Sequence, residues 1–247
     1  MNTVDILNTK ITETSVSQVS KKLINQSGLK VAICNTNTVV RCYKNISLSD
    51  IINNFDIKTP DGFPIAKSSA LLYKNNQKRV DGYKVFLSTI EAGLDKKISH
   101  YFFGSNKNVL DKLTKELRNM FPEINILGSY APPYDTYQNL ANKSYVEDIL
   151  EKRPDIVWVS LGFPKQELFI DFIHKEYSIR SNLVGVGAVF EWVSGTRIKA
   201  PEFIANIGLE WVLRLIQEPK RLYKRYFVDN FLFIFLIIKQ SLSKKIK

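Results

Sequence analysis

The chain of 247 residues has a hydrophobic content of 45%, which suits one large folded domain and excludes disorder over most of its length. Its formal net charge of +11 at pH 7 favours phosphates, anionic lipid or nucleic acid as partners. Only two cysteines and two histidines are present, which argues against a disulfide framework and a zinc site and fits a reducing cytoplasm.

Apolar runs and helical spacing alternate along most of the chain. The predicted strands are residues 4–7, 10–12, 29–34, 98–103, 124–128, 155–161 and 183–186. The predicted helices are residues 14–25, 49–55, 66–73, 85–94, 108–121, 140–151 and 166–177, with a turn or helix start at 35–37. Strands separated by helices of this length form βαβ units. We therefore expect an α/β, Rossmann-like, mostly parallel sheet with helices on both faces.

The loops that follow the strands are the candidate site, because ligands of parallel sheets bind beyond the carboxyl ends of the strands. Asp61, in a PDG loop, can act as a general base, although Pro, Asp and Gly also make an ordinary β-turn. Lys165 and Gln166 can meet an anionic or sugar ligand, or they can simply begin a helix. An FGSN loop that contains Gly104 can offer backbone N–H groups to a phosphate.

Several familiar motifs are incomplete or missing. GVGAVF at 185–190 starts like a dinucleotide fingerprint, but Phe190 stands where the third glycine belongs, which favours simple close packing at a strand end. The chain has no P-loop, so ATP-driven phosphoryl transfer is unsupported, and no GxSxG elbow of a hydrolase. It also lacks an Asp-x-Asp triplet, the metal-holding motif of one large class of sugar transferases.

Six features occur in an order that resembles one family along nearly the whole chain. They are Asn37, PDG at 60–62, RVDGYKV at 79–85, PDIVWVSLGFPKQE at 154–167, GVGAVFEWVSGTRIKAP at 185–201 and LEWVLRLIQEPKRLYKRY at 209–226. Together they resemble the WecG/TagA/CpsF family of bacterial glycosyltransferases, which are N-acetylmannosaminyltransferase-like. The last three segments are the most specific part of the resemblance.

The resemblance implies an inverting glycosyltransferase that needs neither a metal nor another cofactor. Family members move a sugar, often N-acetylmannosamine or a relative, from a UDP-sugar to a polyprenyl-diphosphate-linked sugar. Their products feed wall teichoic acid, capsule or other surface polysaccharide. The first residues of the chain also lack the pattern of a signal peptide. We therefore expect a cytoplasmic protein, peripheral on the inner face of the cell membrane.

The resemblance also implies roles for individual residues. Asp61 matches the proposed catalytic base, and Gln166 and Asn37 match residues beside the donor and the active site. The predicted substrate-binding residues are Asn35, Arg79, Gly104, Lys165, Gly185, Gly187, Glu191, Arg214, Arg221 and Arg225. The three arginines from 214 onward would offset charge on the departing UDP, and no metal ligand is predicted.

Four positions depart from the family pattern. Asn35 stands where members usually have Thr, Glu191 where they have Asp, and Lys199 where they have Arg. The last two replacements keep the sign of the charge and the implied role. Lys84 instead reverses the charge of an expected acid, which leaves the transferred sugar open.

The C-terminal part of the chain is strongly basic, with nine Lys or Arg and two acidic residues in 214–247. The apolar run at 231–238 has eight residues, far fewer than the roughly 20 that a membrane-spanning helix needs. Its place beside a dense cation cluster argues against a core helix. We expect residues 1–199 to form the α/β glycosyltransferase core. Residues 200–247 are expected to form a basic, amphipathic, helical appendage that docks on an anionic membrane and completes the site.

Two other functions fit parts of the sequence. One is a soluble UDP-sugar-modifying enzyme such as an epimerase, with the appendage as an oligomer contact. The other is a non-catalytic basic binder of membrane or nucleic acid, but it gives no reason for PDG, PKQE and GVG at strand ends. We therefore expect no nucleic-acid partner, and the sequence leaves the oligomeric state open.

Overall fold

A computed structural model describes the backbone of residues 1–206 and 208–245. It describes the side chains of these residues except those of Asn206, Arg221, Lys224, Arg225, Tyr226, Lys244 and Lys245. The strands are β1 (Thr3–Ile6), β2 (Thr9–Thr12), β3 (Lys30–Cys34), β4 (Ile57–Pro60), β5 (Ser99–Gly104), β6 (Asn125–Tyr130), β7 (Ile156–Ser160) and β8 (Asn182–Gly185).

Helices follow most of these strands. They are α1 (Val16–Asn25), α2 (Thr36–Lys44), α3 (Ile46–Asn53), α4 (Phe63–Tyr73), α5 (Gly82–Gly93), α6 (Lys107–Met120), α7 (Tyr137–Leu140), α8 (Lys143–Lys152), α9 (Lys165–Tyr177) and α10 (Val189–Val193). The C-terminal part adds α11 (Glu202–Asn206), α12 (Glu210–Gln217), α13 (Pro219–Lys224), a π-helical turn (Arg225–Asp229) and α14 (Asn230–Lys245).

Six strands form one sheet in the order β4-β3-β8-β7-β5-β6, and every neighbouring pair is parallel. This confirms the predicted α/β class. β1 and β2 form a separate antiparallel hairpin. Because all six strands run the same way, their carboxyl ends meet at one edge of the sheet, where the loops after β3, β4, β5, β7 and β8 converge.

The sheet is covered on both faces, and alternate residues of each strand point into different core clusters. In β7, Trp158 packs among residues of α5, α6 and α10, whereas Val157 and Val159 pack among residues of α2, α3 and α9. The apolar strands are therefore buried on both sides, as their continuous hydrophobic runs predict.

One predicted helix is wrong in part. Residues 140–151 form the end of α7 and most of α8, and the break lies at Ala141 and Asn142. Asn142 begins the second helix because its side-chain oxygen accepts a hydrogen bond from the Ser144 N–H at 3.1 Å.

The apolar run near the C-terminus packs one face of α14 on the core. Phe233, Leu236 and Ile237 are buried in the same cluster as Val4 and Ile6 of the hairpin. The prediction that this run lies outside the core was therefore wrong for this face of the helix. In the part of the chain that the structure describes, no helix is both long and apolar enough to cross a membrane.

The opposite face of α14 exposes an apolar stripe. We call Phe231, Ile234, Phe235, Ile238 and Leu242 the α14 stripe; each is between 55% and 69% exposed. These residues recur at helical spacing, so they form one continuous surface along the helix. The helix is therefore apolar on two sides, one in the core and one in solvent.

Candidate active site

A cleft of about 510 Å³ lies at the carboxyl ends of the parallel strands. Its walls come from the loops after all six strands of the sheet and from α12 of the C-terminal part. Eight of the residues predicted from the sequence line it: Asn35, Asp61, Arg79, Lys165, Gln166, Gly187, Glu191 and Arg214. The fold therefore brings together residues that lie far apart in the chain.

Asp61 follows β4 directly, and its backbone N–H donates to the Cys34 carbonyl oxygen of the neighbouring β3 at 2.9 Å. This bond fixes the backbone of Asp61 at the edge of the sheet. Burial raises the pKa of the Asp61 carboxyl to about 7, and the carboxylates of Glu210 and Asp81 add to the rise, against the opposite effect of nearby arginines. A carboxylate with a pKa near neutrality suits general base catalysis.

Arg79 lies between two carboxylates beside Asp61. Its Nη2 is 2.9 Å from Asp81 Oδ2, and its Nη1 is 2.9 Å from Glu210 Oε2. Asp81 is held in turn, since its other oxygen accepts from the Lys84 backbone N–H at 3.0 Å and caps α5. Burial lowers the pKa of Arg79, but the carboxylates of Asp81, Asp61 and Glu210 outweigh it and raise the pKa.

Gln166 lies at the start of α9, buried beneath the end of β8. Its Oε1 accepts from the Gly187 backbone N–H at 3.1 Å, and its Nε2 donates to Glu167 Oε1 at 2.8 Å. Gly185 makes room for this side chain, because a Cβ atom there would lie only 2.8 Å from Gln166 Nε2. The glycine pair around β8 therefore fixes the Gln166 amide at the cleft wall.

Five cationic side chains line the cleft: Arg79, Lys165, Arg197, Lys199 and Arg214. Three of them lie over aromatic rings, which orients their charges: Lys165 over Tyr134, Lys199 over Tyr83 and Arg214 over Trp192. Such a wall suits an anionic ligand with several phosphate oxygens.

Glu191, in the first turn of α10, brings a carboxylate to the same cleft. Its Oε2 atom is buried and has no hydrogen-bond partner among the described residues. Buried polar atoms are normally paired, so a ligand hydroxyl is a suitable partner for this oxygen.

A second, apolar pocket of about 320 Å³ shares a wall with the cleft. Asn35, Asp61, Arg79, Glu210 and Arg214 line both. The rest of the pocket is mostly apolar and includes Phe63, Pro64, Trp211, Phe227, Phe231, Phe233 and Ile234. The pocket therefore runs from Asp61 toward the α14 stripe, since Phe231 and Ile234 belong to both.

Three predicted site residues do not line the cleft. Asn37 is buried in α2, and its Nδ2 donates to Asp229 Oδ2 at 2.5 Å. Gly104 has a φ of +121°, and a Cβ there would lie 2.3 Å from the Ser160 carbonyl oxygen, so it permits close packing of β5 on β7. Gly185 accommodates Gln166, as described above. The side chains of Arg221 and Arg225 lie outside the described part of the chain.

The structure adds residues that the sequence did not single out as site residues. They are Asp81, Ser105, Asn106, Tyr134, Trp192, Arg197, Lys199 and Glu210, all of which line the cleft. Most of them lie within the matched segments or the FGSN loop, so their position in those segments was the available signal. Glu210 also lies in a matched segment, at 209–226, but its local pattern does not indicate its partner Arg79, which is 131 residues away in the chain.

Lys84, which reverses the expected charge, lies beside the cleft rather than on its wall. Its ammonium group forms an ion pair with Glu202 in the first turn of α11. The reversed charge therefore has a partner within the chain, and the structure gives it no direct contact with the cleft.

No group of three or more His, Cys, Asp or Glu side chains within residues 1–206 and 208–245 is arranged to hold a metal ion. The predicted independence of metal stays a prediction.

Comparison with known proteins identifies the family of this chain. The glycosyl transferase WecG/TagA/CpsF family model matches residues 4–247. An N-acetylglucosaminyldiphosphoundecaprenol N-acetyl-beta-D-mannosaminyltransferase of Bacillus spizizenii is 30% identical, covering 90% of this chain and 84% of the relative. A protein with the same name from Bacillus subtilis is 26% identical, covering 93% of this chain and 87% of the relative. Another from Staphylococcus aureus is 23% identical, covering 98% of this chain and 95% of the relative. The chain therefore belongs to the WecG/TagA/CpsF family of glycosyl transferases.

Proposed function

We propose that this glycosyltransferase moves N-acetylmannosamine or a related hexose from a UDP-sugar to a polyprenyl-diphosphate-linked sugar, with inversion and without a metal ion. The observation that carries the proposal is the place of Asp61 on the shared wall of a charged cleft and an apolar pocket. A charged donor and a lipid-linked acceptor can then meet at one carboxylate. The names of the relatives support this donor sugar and this acceptor class.

The cleft is the proposed donor site. Lys165, Lys199 and Arg214 suit a diphosphate, whereas the cleft residues Arg79 and Arg197 already pair with carboxylates. The buried Glu191 Oε2 can accept from a ribose or sugar hydroxyl. Arg214 lines both the cleft and the apolar pocket, so its charge lies where a leaving diphosphate would face the acceptor. Its Cζ atom lies 5.1 Å from the centroid of the Trp192 ring. Cations of this kind can replace a metal ion in offsetting the charge of the leaving group.

Asp61 is the proposed general base. It takes the proton from the acceptor hydroxyl while that oxygen forms a bond to the anomeric carbon of the donor sugar. The bond from that carbon to the UDP oxygen breaks, and UDP leaves with the electron pair. Attack on the face opposite the leaving group inverts the anomeric carbon. The arginines and lysines of the cleft stabilise the charge that develops on UDP.

The apolar pocket and the α14 stripe are the proposed route of the acceptor lipid. The pocket begins at Asp61 and reaches Phe231 and Ile234, which the stripe continues along α14. The C-terminal part is also rich in Lys and Arg, which attract anionic lipid headgroups. We therefore infer that the protein docks on the inner face of the cell membrane and serves cell-surface polysaccharide or wall teichoic acid synthesis.

The proposal is tested with a panel of UDP-sugars and a short-chain prenyl-diphosphate-linked N-acetylglucosamine, in buffer containing EDTA. We expect UDP release and a disaccharide product only when donor and acceptor are both present, and with UDP-N-acetylmannosamine among the active donors. Asp61→Asn should remove activity. Loss of parent activity in EDTA that added Mg²⁺ or Mn²⁺ restores would contradict metal independence.

The same assay separates the alternatives. An epimerase would convert the UDP-sugar without any acceptor. A non-catalytic binder would release no UDP, and its cellular function would survive Asp61→Asn. Family membership and the placement of Asp61 favour transfer over both.

A further inference from the structure

Arg79 joins the core to the C-terminal part of the chain. One side of its guanidinium contacts Asp81, which is fixed as the N-cap of α5. The other side contacts Glu210 in the first turn of α12. The Arg79 side chain is 12% exposed and that of Asp81 is 8% exposed, so this pair is well shielded from solvent, whereas Glu210 is 23% exposed. Nη1 and Nη2 of Arg79 thus each contact a carboxylate other than Asp61.

Four charged residues affect the pKa of the Asp61 carboxyl most, and all four line the same cleft: Asp81 and Arg79 from the segment that starts α5, and Glu210 and Arg214 from α12. Half of this charge environment therefore comes from the C-terminal part. Without Glu210, Nη1 of Arg79 would lose its carboxylate partner. Asp61 is another carboxylate that lines the same cleft and pocket, and its charge already raises the pKa of Arg79. A direct Arg79–Asp61 pair would hold the base in its charged form and weaken it as a proton acceptor.

We propose that Glu210 is a positioning residue that occupies Arg79 and so keeps Asp61 free to accept the proton of the acceptor hydroxyl. This inference rests on the proposed role of Asp61 as the base. It makes docking of α12 a condition for an active base, because the carboxylate that occupies Arg79 arrives with that helix.

Two other carboxylates of the C-terminal part provide a comparison. Glu202 pairs with Lys84, and Glu218 pairs with Arg197. Neither glutamate lines the cleft or the apolar pocket. Each can fasten the C-terminal part to the core, but Glu210 is the member of this set whose partner borders Asp61. Glu202→Gln is therefore a matched control for the loss of one ion pair without a change beside the base.

The experiment is the pH dependence of kcat/KM for the parent, Glu210→Gln and Glu202→Gln, with the short-chain acceptor and UDP-N-acetylmannosamine. In Glu210→Gln, the midpoint of the acid limb should move to lower pH by about one unit, because Asp61 loses a neighbouring anion and gains Arg79. The plateau should fall on the order of tenfold, since a weaker base accelerates less. Glu202→Gln should leave the midpoint where the parent has it.

Glu210→Asp restores a carboxylate and should return the midpoint of the acid limb to near the parent value. This variant also tests whether the site still folds. A Glu210→Gln profile that falls in height without moving its midpoint would overturn the inference and leave Glu210 as a simple fastening residue. An equal midpoint shift in Glu202→Gln would also overturn it. Failure of the proposed function is distinct: Asp61→Asn would then retain activity with the parent acid limb.

Discussion

Asn37 in α2 donates its side-chain amide to Asp229 in the π-helical turn, with 2.5 Å between Nδ2 and Oδ2. A second bond runs beside it, from Thr36 Oγ1 to Asn230 Oδ1 at 2.8 Å. These contacts fasten the start of α14 to the first turn of α2. Asn35, which caps that turn, lines both the cleft and the apolar pocket. Asn37 thus contacts the C-terminal part of the chain, and it does not line the cleft.

Asp229→Ala should weaken the contact between α2 and the π-helical turn. It leaves the buried Asn37 amide without an acceptor, which should lower the free energy of unfolding by about 1–3 kcal/mol. Transfer to the lipid acceptor should fall more than binding of UDP, because the change lies on the side of the apolar pocket. Chemical denaturation, acceptor kinetics and calorimetric UDP binding measure the three effects.

Asp229→Asn is the matched control for this prediction. Its amide oxygen can still accept from Asn37, although the charge facing Lys44 at 3.8 Å is lost. The Lys44 side chain is 49% exposed, so that pair adds little. If Asp229→Asn loses as much stability and transfer activity as Asp229→Ala, the charge of Asp229 and not its hydrogen bond to Asn37 holds the two elements together.

A Cβ atom at Gly185 should disable the site without unfolding the protein. The added methyl group of Gly185→Ala would lie 2.8 Å from Gln166 Nε2, so the amide must move away from the Gly187 N–H. We expect kcat/KM to fall on the order of a hundredfold, since small misplacements at a site are costly. Steady-state kinetics together with a thermal melt test this.

Gly195→Ala serves as the control for that substitution. Gly195 follows α10, a helix that also lines the cleft, but it has a φ of +68°, and a Cβ atom there would have no neighbour within 4 Å. The expected cost is backbone strain of about 1 kcal/mol with little loss of activity. An active Gly185→Ala enzyme would show that the Gln166 position is not required.

The sequence predicted most of the regular elements and the edge of the sheet where the site lies, but β4, which leads directly to Asp61, was not among the predicted strands. Continuous apolar runs indicated strands buried on both faces, and the parallel order placed Asp61, Lys165 and Gln166 at one edge. The sequence did not predict hydrogen bonds and ion pairs between side chains that lie far apart in the chain. Asn37 and Asp229 are 192 residues apart, and neither residue indicates the other by its local pattern.

The C-terminal apolar run shows a second limit of sequence patterns. Hydrophobic periodicity separates a buried face from a polar face, but α14 is apolar on both its core face and its exposed face. An apolar run without polar residues therefore does not indicate which face of the helix is buried. Packing against the hairpin and α2 determines it instead, with Gln240 accepting from the Leu7 N–H and donating to the Asp5 carbonyl oxygen.

Asp61→Asn should stabilise the folded protein above neutral pH while removing activity. The folded state keeps a proton on Asp61 up to about pH 7, whereas the unfolded chain releases it near the ordinary value of 3.8. The folded state binds more protons between these values, so this contribution to stability is complete below 3.8 and is lost as pH rises through 7.

The asparagine avoids the cost of the buried charge. We expect its free energy of unfolding at pH 8 to exceed that of the parent by about 2 kcal/mol, because partial exposure of Asp61 reduces the full effect. Urea titrations at several pH values measure the difference, which should shrink toward pH 4. A difference that does not change with pH would show that Asp61 has an ordinary pKa in the folded protein.

The two apolar faces of α14 should respond to substitution in opposite ways. Leu236→Ala removes a side chain buried in the core and should lower the free energy of unfolding by about 2–5 kcal/mol. Phe235→Ser changes a side chain that is 64% exposed and does not line the apolar pocket, so stability should change by less than about 0.5 kcal/mol. Its effect should appear instead in binding to vesicles.

Sedimentation with vesicles of phosphatidylglycerol and phosphatidylcholine tests the exposed face. Burying one aromatic side chain in the interface contributes about 1.5–3 kcal/mol, so Phe235→Ser should weaken vesicle binding on the order of tenfold or more. The double variant Phe235→Ser, Ile238→Ser should weaken it further while keeping activity on a short-chain soluble acceptor. Unchanged vesicle binding in this folded double variant would remove the α14 stripe from the membrane-docking surface, because the two residues lie in the middle of the stripe.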